Sequence, residues 1–140
     1  MPPMRVSRRV RLLISVLALS VPSISVGLAQ IVPDRLPGTW QSGDYKLVIT
    51  SSEQKLTVHG FGKCHPEWCD WGEVPLSLIA PSIRSKDYTH ALALWSNDWR
   101  TTVAVVRVEQ EGLAVEFFKV FHDNSGRSNY HSVTVLKRTE

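Results

Sequence analysis

The chain has 140 residues, of which 16 are basic and 13 acidic, so its formal net charge is +3. Four of the basic residues lie within residues 1–29, and the remaining 111 residues carry 12 basic and 13 acidic side chains, a net charge of −1. Nucleic-acid binding requires a basic surface, so this balance excludes nucleic acid as a partner. A segment of 111 residues is the size of one domain.

Residues 1–29 have the charge and hydropathy pattern of a secretory signal peptide. Arginines at positions 5, 8, 9 and 11 precede an apolar run over 12–21, and Gly27 and Ala29 supply small residues before a cleavage site at Gln30. The pattern predicts export to a secreted or periplasmic location, with no membrane association after cleavage. An uncleaved anchor is the alternative, and Ser7-Arg8-Arg9 leaves a twin-arginine signal open.

Residues 30–38 form a proline-rich entry segment, and residues 39–140 are predicted to form one β domain. Apolar and polar residues alternate with a period of two, and β-branched residues are abundant, as is typical of strands. No segment after the leader shows a helical period. The predicted strands are 45–51, 55–61, 73–79, 87–95, 100–109, 113–122 and 128–138, with 39–42 as a candidate eighth strand.

The short links between these strands predict an antiparallel meander, and such a meander protects its edges by closing on itself. We therefore predict an all-β barrel of about eight strands, similar by analogy to the avidin and lipocalin barrels. A two-sheet β-sandwich is the alternative fold. The interior of an eight-stranded barrel holds either side chains or one small ligand.

The segment 61–72 contains both cysteines of the chain. In an oxidising compartment, Cys64 and Cys69 are predicted to form a disulfide that holds His65 and Trp68 on a rigid loop. Zinc binding is the alternative, but a structural zinc site needs four ligands, and the other histidines lie on separate predicted strands. We predict no metal and no cofactor.

Aromatic residues are the main candidates for ligand binding. All five tryptophans lie after the leader. In a barrel they either line a cup for a small ligand or fill the core. The predicted ligand-binding residues are His65, Trp68, Asp70, Trp71, Tyr88, Trp95, Arg127 and Tyr130.

Catalysis is a competing class of function. Glu67, Asp70 and Glu73 lie close together in sequence, and paired carboxylates can perform acid–base chemistry on sugars. Adjacent residues of an extended segment point to opposite faces, which disfavours a nucleophilic pair of Cys64 and His65. We predict no catalytic residues, and keep a secreted hydrolytic or metal-dependent enzyme centred on residues 64–73 as an alternative.

Two segments carry a resemblance to a known family. Residues 62–72 read GKCHPEWCDWG, and residues 123–130 read DNSGRSNY. They resemble the G-x-C-H-P-x-x-C-D-W-G core and the D-x-S-G-R-S-x-Y turn of a group of small secreted bacterial domains, and Gly38-Thr39-Trp40 is similar to that family's opening tryptophan. The family's Ile-Thr-Arg run is represented here by Ile49-Thr50-Ser51, without the arginine. The resemblance implies a secreted bacterial β domain and no established activity, so no catalytic residue carries over.

The predicted function is that of an exported, non-catalytic binding domain. It is expected to use the barrel mouth and the disulfide-clipped tryptophan loop. Its partner is an unidentified small molecule, glycan or protein, and its state is a monomer or a small homo-oligomer. A protein-interaction or inhibitory domain is a further alternative.

Overall fold

A computed structural model describes residues 29–139 of the chain. The predicted signal peptide, residues 1–29, lies outside the described residues except for Ala29. Within residues 29–139, no helix is long and apolar enough to cross a membrane.

Within residues 29–139, nine antiparallel strands form one nearly closed, barrel-shaped sheet, which confirms the predicted all-β barrel with one strand more than the expected eight. A short 3-10 turn at Pro33–Arg35 precedes them. The strands are β1 (Gly38–Gln41), β2 (Tyr45–Ser52), β3 (Lys55–Lys63), β4 (Trp68–Pro75), β5 (Ser77–Ile79), β6 (His90–Ser96), β7 (Arg100–Glu109), β8 (Gly112–Phe121) and β9 (Tyr130–Arg138). Their order in the sheet is β4-β3-β2-β1-β9-β8-β7-β6-β5.

The period-two alternation decides which side chains enter the barrel. In β3, Leu56, Val58, Gly60 and Gly62 are buried, whereas the residues between them are half-buried or exposed. Successive residues of a strand point to opposite faces of the sheet, so these four lie on the inner face. The barrel interior is therefore built from alternate residues of each strand.

The predicted strand 73–79 is two strands in the structure. β4 begins earlier, at Trp68, and pairs with β3 as far as Pro75, while β5 pairs with β6. Leu76 between them is buried, and its N–H donates to the Leu56 carbonyl at 2.9 Å. Since proline has no N–H to donate, the strand changes partner at this point and carries the chain from one side of the sheet to the other.

The entry segment covers one end of the barrel, which we call the closed end. Ile31, Leu36 and Trp40 are buried there in one cluster with Leu113 and Leu136. The Trp40 indole N–H donates to the Leu36 carbonyl at 2.8 Å, which fixes the ring across this end. Burial of these apolar side chains stabilises the closed end.

The opposite end of the barrel, which we call the open end, is not filled. Phe117 is fully buried, and its ring stacks on Tyr45 with ring centroids 4.2 Å apart. Trp71 meets the same phenyl ring edge-to-face at 5.8 Å. Tyr45 and Trp71 in turn line a cavity, so the interior is packed as far as Phe117 and hollow beyond it.

Candidate functional site

The cavity at the open end has a volume of about 590 Å³. Residues of seven strands, all except β1 and β5, line it, and the turn between β6 and β7 contributes to its rim. Cavities of this size hold small organic molecules in other proteins. Its main side-chain walls are Tyr45, Trp71, Trp95, Arg100, Lys119 and Tyr130.

Two glycines of β3 make room for the tryptophan wall of the cavity. A Cβ added at Gly60 would lie 2.7 Å from Trp95 Cζ2 and 2.8 Å from Trp71 Cε3. A Cβ added at Gly62 would lie 2.7 Å from Trp71 Cζ2. These distances are well below the carbon–carbon contact distance, so the indole rings occupy the space that side chains at these positions would need.

A β-bulge turns Trp71 into the barrel. Gly60 pairs with Gly72 and Phe61 pairs with Asp70, so Trp71 is the extra residue of β4. Its ring meets that of Trp95 edge-to-face, with centroids 5.4 Å apart and an interplanar angle of 69°. Edge-to-face contacts of this kind stabilise the fold in addition to the burial of apolar surface, and they hold both rings in defined positions.

Hydrogen bonds around Gly72 fix the same wall. The Trp95 indole N–H donates to the Gly72 carbonyl at 2.9 Å, which ties β6 to β4. The Gly72 N–H donates to Asp70 Oδ1 at 2.7 Å, and Gly72 has a φ of 87°, a conformation that favours glycine. Asp70 Oδ1 also lies 2.5 Å from His59 Nε2. The backbone hydrogen bond from Gly72 and the His59 contact lower the pKa of Asp70.

Two cations project into the cavity. Lys119 lies on the inner face of β8 with a relative exposure of 6%, and its ammonium donates to the Tyr45 hydroxyl at 3.3 Å. The same nitrogen lies 5.1 Å from the ring centroid of Trp71 and 5.2 Å from that of Tyr130. Arg100 lies over Trp71 at 5.3 Å and over Trp99 at 4.6 Å, and its burial lowers its pKa. Aromatic faces attract cations at such distances.

At the rim of the cavity, a third cation lies over aromatic rings. The Arg127 guanidinium lies 5.0 Å from the Trp99 ring and 4.4 Å from that of Phe121. Arg127 also pairs with Asp123, and its Nε donates to Ser125 Oγ at 2.8 Å. The turn at residues 123–127 therefore places a paired guanidinium beside the tryptophan at the cavity rim.

The disulfide is present, as predicted, between Cys64 and Cys69. It closes the connection between β3 and β4, and the Cys64 N–H donates to the Glu67 carbonyl at 3.0 Å. Both cysteines border the cavity, whereas His65 and Glu67 are exposed. Trp68 lies near Lys46 of β2, 5.5 Å from its ammonium, on the outer face of the sheet. The loop thus presents its backbone to the cavity and Trp68 to the outside.

The structure brings half of the predicted ligand-binding residues together. Asp70, Trp71, Trp95 and Tyr130 border the cavity, and Arg127 reaches it through Trp99. The other three lie elsewhere: His65 on the outside of the loop, Trp68 on the outer face, and Tyr88 at the closed end, where its carbonyl accepts from Ile31 N–H at 2.7 Å.

Among the cavity residues that sequence reasoning missed are Tyr45, Trp99, Arg100 and Lys119. A signal for Lys119 was available. Leu113, Val115 and Phe117 alternate along β8 on its inner face, and Lys119 continues the same register. A basic residue in an inward position of a strand is unusual, because lysine is rarely buried without a partner.

The geometry of residues 64–73 bears on the alternative that this segment is a catalytic centre. Cys64 and Cys69 are bonded to each other, so neither sulfur serves as a nucleophile or a metal ligand in this state. Asp70 pairs with His59 of β3, which lies outside residues 64–73. Within residues 29–139, no group of three or more histidine, cysteine, aspartate or glutamate side chains is placed to hold a metal ion.

No protein-family model matches the sequence, and no curated protein or solved structure is significantly similar to it.

Replacing Gly60 with alanine tests the tryptophan wall. The added Cβ would collide with both indole rings, so we expect G60A to lower the free energy of unfolding by about 1–3 kcal/mol, the usual cost of overpacking. Chemical denaturation measures this change, and near-ultraviolet circular dichroism reports whether the tryptophans move. The matched control is G43A, where the added Cβ meets nothing within 4 Å and the change should stay within about 0.5 kcal/mol. Equal stabilities for G60A and G43A would contradict the assignment.

Replacing Asp70 with asparagine tests the hydrogen bonds around Gly72. The backbone hydrogen bond from Gly72 and the contact with His59 hold the pKa of Asp70 below its usual value of 3.8, so the ionised carboxylate stabilises the fold above that pH. The stabilisation is lost as the pH falls through the lowered pKa. We therefore expect the native protein to exceed D70N in stability near neutral pH, and the difference to shrink below pH 3.8.

Denaturant titrations over this pH range measure the difference. The control is E73Q, which removes an exposed carboxylate from the same strand that makes no side-chain hydrogen bond or ion pair within the described residues. A pH-independent difference between the native protein and D70N would show that the Asp70 charge does not contribute.

Proposed function

We propose that the chain is an exported, non-catalytic binding domain that takes a small ligand into the cavity at the open end of the barrel. The observation that carries the proposal is a cavity of about 590 Å³ whose tryptophan wall is held in place from both sides. Glycines of β3 leave space for Trp71 and Trp95, and the Gly72 carbonyl fixes the Trp95 ring by a hydrogen bond. A wall that is rigid before binding loses little conformational entropy when a ligand arrives.

The shape of the barrel supports the same proposal. The apolar side chains that stabilise the fold lie at the closed end and in the middle, around Trp40, Leu136 and Phe117. At the open end, Trp95 belongs to the same buried cluster and Trp71 packs against it, and both rings also border the cavity. The cavity combines an aromatic wall with several polar and charged groups, which suits a small ligand that has both an apolar and a polar part.

A second candidate is a protein-interaction domain that uses the outer face of β6–β9. Leu94, Val103 and Phe118 lie opposite one another on neighbouring strands, and Phe118 stacks on His131 with centroids 4.7 Å apart. Val133 is 56% exposed beside them. Contiguous apolar surface of this kind occurs at protein interfaces.

The screen that tests ligand binding uses libraries of small molecules and glycans, read by tryptophan fluorescence and thermal shift. We expect binding to quench or shift the emission of the cavity tryptophans and to raise the melting temperature by mass action. W99A removes an exposed ring at the cavity rim and should weaken binding at least about tenfold if that ring contacts the ligand. W68A removes a ring from the outer face and is the matched control.

A flat response across broad libraries would contradict the proposed cavity function and would favour the second candidate. Equal loss in W99A and W68A would place binding on the disulfide loop and the outer face instead of in the cavity.

Export is a separate part of the proposal, and it rests on the sequence pattern of residues 1–29 together with the disulfide. A disulfide forms and persists in an oxidising compartment. We expect the protein isolated from its native cells to begin at Gln30 and to contain no free thiol, as measured by intact mass with and without a thiol-alkylating reagent. Residues 30–140 produced in a reducing cytoplasm are the control. Two reactive thiols, or an intact leader, in the native material would contradict export with cleavage.

A further inference from the structure

The cavity contains positive charge that the protein itself does not neutralise. Lys119 is 6% exposed at residue level, and its one hydrogen-bond partner in the described chain is the neutral Tyr45 hydroxyl. An ammonium group has three N–H donors, so two remain for another acceptor. The ion pairs within residues 29–139 involve neither Lys119 nor Arg100.

Two other cations of the barrel that lie over aromatic rings are satisfied by acceptors of the protein. Arg138 lies 4.3 Å from the Trp40 ring at the closed end, and its guanidinium donates to the carbonyls of Pro37 and Arg35. Arg127 lies over Trp99 and pairs with Asp123. Lys119 and Arg100 have the same kind of contact with aromatic rings but no such acceptor. Lys46, over Phe61 and Trp68, also makes no ion pair within the described residues, but it lies half-buried on the outer face, whereas Lys119 is buried at the cavity.

The acidic residues at the cavity do not supply the missing charge. Asp70 lies at the border of the cavity, with its carboxylate engaged by His59 and by the Gly72 N–H. Asp44 is exposed at the border and makes no ion pair within the described residues. A buried cation is costly unless an opposite charge or hydrogen-bond acceptors compensate it. The space beside Lys119 and Arg100 is open to a ligand that brings such acceptors.

We propose that the ligand of this cavity is a small organic anion, whose charged group is bound by Lys119 and Arg100 and whose ring or apolar body packs against Trp71, Trp95 and Tyr130. This proposal rests on the proposed binding function and names the chemical class of its ligand. A guanidinium and an ammonium both donate to carboxylate, phosphate or sulfate oxygens, and such charge-assisted hydrogen bonds are short and strong. The aromatic wall beside the cations supplies faces for a ring or a sugar to stack on.

The dimensions agree with a ligand of more than one inorganic ion. Phosphate or sulfate alone would leave most of a cavity of about 590 Å³ unfilled and the indole faces without contact. A neutral aromatic molecule would fill the space but leave two cations without acceptors. An organic anion satisfies both requirements of the cavity at once.

The test compares anions with neutral molecules of the same shape by isothermal titration calorimetry on the purified protein. The pairs are phenylacetate with phenylacetamide, phenyl phosphate with phenol, and glucuronate with glucose, and inorganic phosphate is titrated alone. We expect at least one anion to bind about tenfold or more tightly than its neutral partner, and inorganic phosphate to bind more weakly than that anion.

Two variants assign the preference to the cavity cations. K119M removes the ammonium and keeps an unbranched side chain of similar length, and R100Q removes the guanidinium. Each should reduce the preference for the anion, expressed as the ratio of its affinity to that of the neutral partner, to less than about threefold. The matched control is K46M, because Lys46 also lies over two aromatic rings, Phe61 and Trp68, but on the outer face. K46M should keep the full preference.

The outcomes separate this inference from the proposed function. Equal binding of the anion and its neutral partner by the native protein would overturn the anion preference while leaving cavity binding in place. An anion preference that K46M abolishes and K119M retains would also overturn it. No binding of any probe would count against both proposals. The comparison of partners on the native protein holds even if a variant fails to fold.

Discussion

The seam between β4 and β6 is the constraint on which the open end of the barrel depends. Backbone hydrogen-bond ladders join the other neighbouring strands. Between β4 and β6 a side chain makes the connection, because the Trp95 indole N–H donates to the Gly72 carbonyl. The indole ring is large enough to bridge strands that do not pair directly, and its N–H supplies the hydrogen bond that a ladder would otherwise provide. The same ring is then exposed on its other side to the cavity. The junction and the binding wall are one group of atoms.

The contact between β4 and β6 requires small residues on the neighbouring strand β3. The indole of Trp95 fits because Gly60 has no side chain, and Trp71 fits against it because Gly62 has none either. The bulge that turns Trp71 inward requires the backbone conformation of Gly72, which Asp70 stabilises through its hydrogen bond to the Gly72 N–H. Three glycines and a carboxylate therefore support two tryptophans. An alanine at position 60 would disturb the site and the closure of the barrel together.

The two segments that stand out in the sequence meet at this same end of the barrel. Residues 62–72 supply Trp71 and the disulfide, and residues 123–130 supply Arg127 and Tyr130. They lie far apart in the chain and come together because β4 and β9 both begin at the open end. The alternation of residues predicted the strands and the barrel, because burial of one face imposes a period of two on any sequence.

The finer assignments depended on information that a linear pattern does not contain. Trp68 and Trp71 both lie in the cysteine segment, and the bulge opposite Gly60 and Phe61 decides which of them faces inward. Aromatic side chains occur at both ends of the barrel, so the sequence does not show at which end Tyr88 lies. Its backbone contact with Ile31 at the closed end forms only when the chain folds. Lys119 differs from these residues, because the alternation along β8 already indicates that its side chain points inward. Its role follows only from the structure, in which no carboxylate of the described residues pairs with it.

The conflict between stability and binding is sharpest at Lys119. Burial of an ammonium costs several kcal/mol, and contacts with the rings of Tyr45, Trp71 and Tyr130 return up to about 2 kcal/mol each when the rings are desolvated. Replacing buried charges with apolar residues often stabilises proteins by about 1–4 kcal/mol, so a methionine at this position would serve the fold at least as well as a lysine. The closed end of the barrel has been built with apolar residues at comparable inner positions of the same strand, Leu113 and Val115. The anion binding that we propose accounts for a cation at the fourth inner position of β8, where the fold alone does not require one.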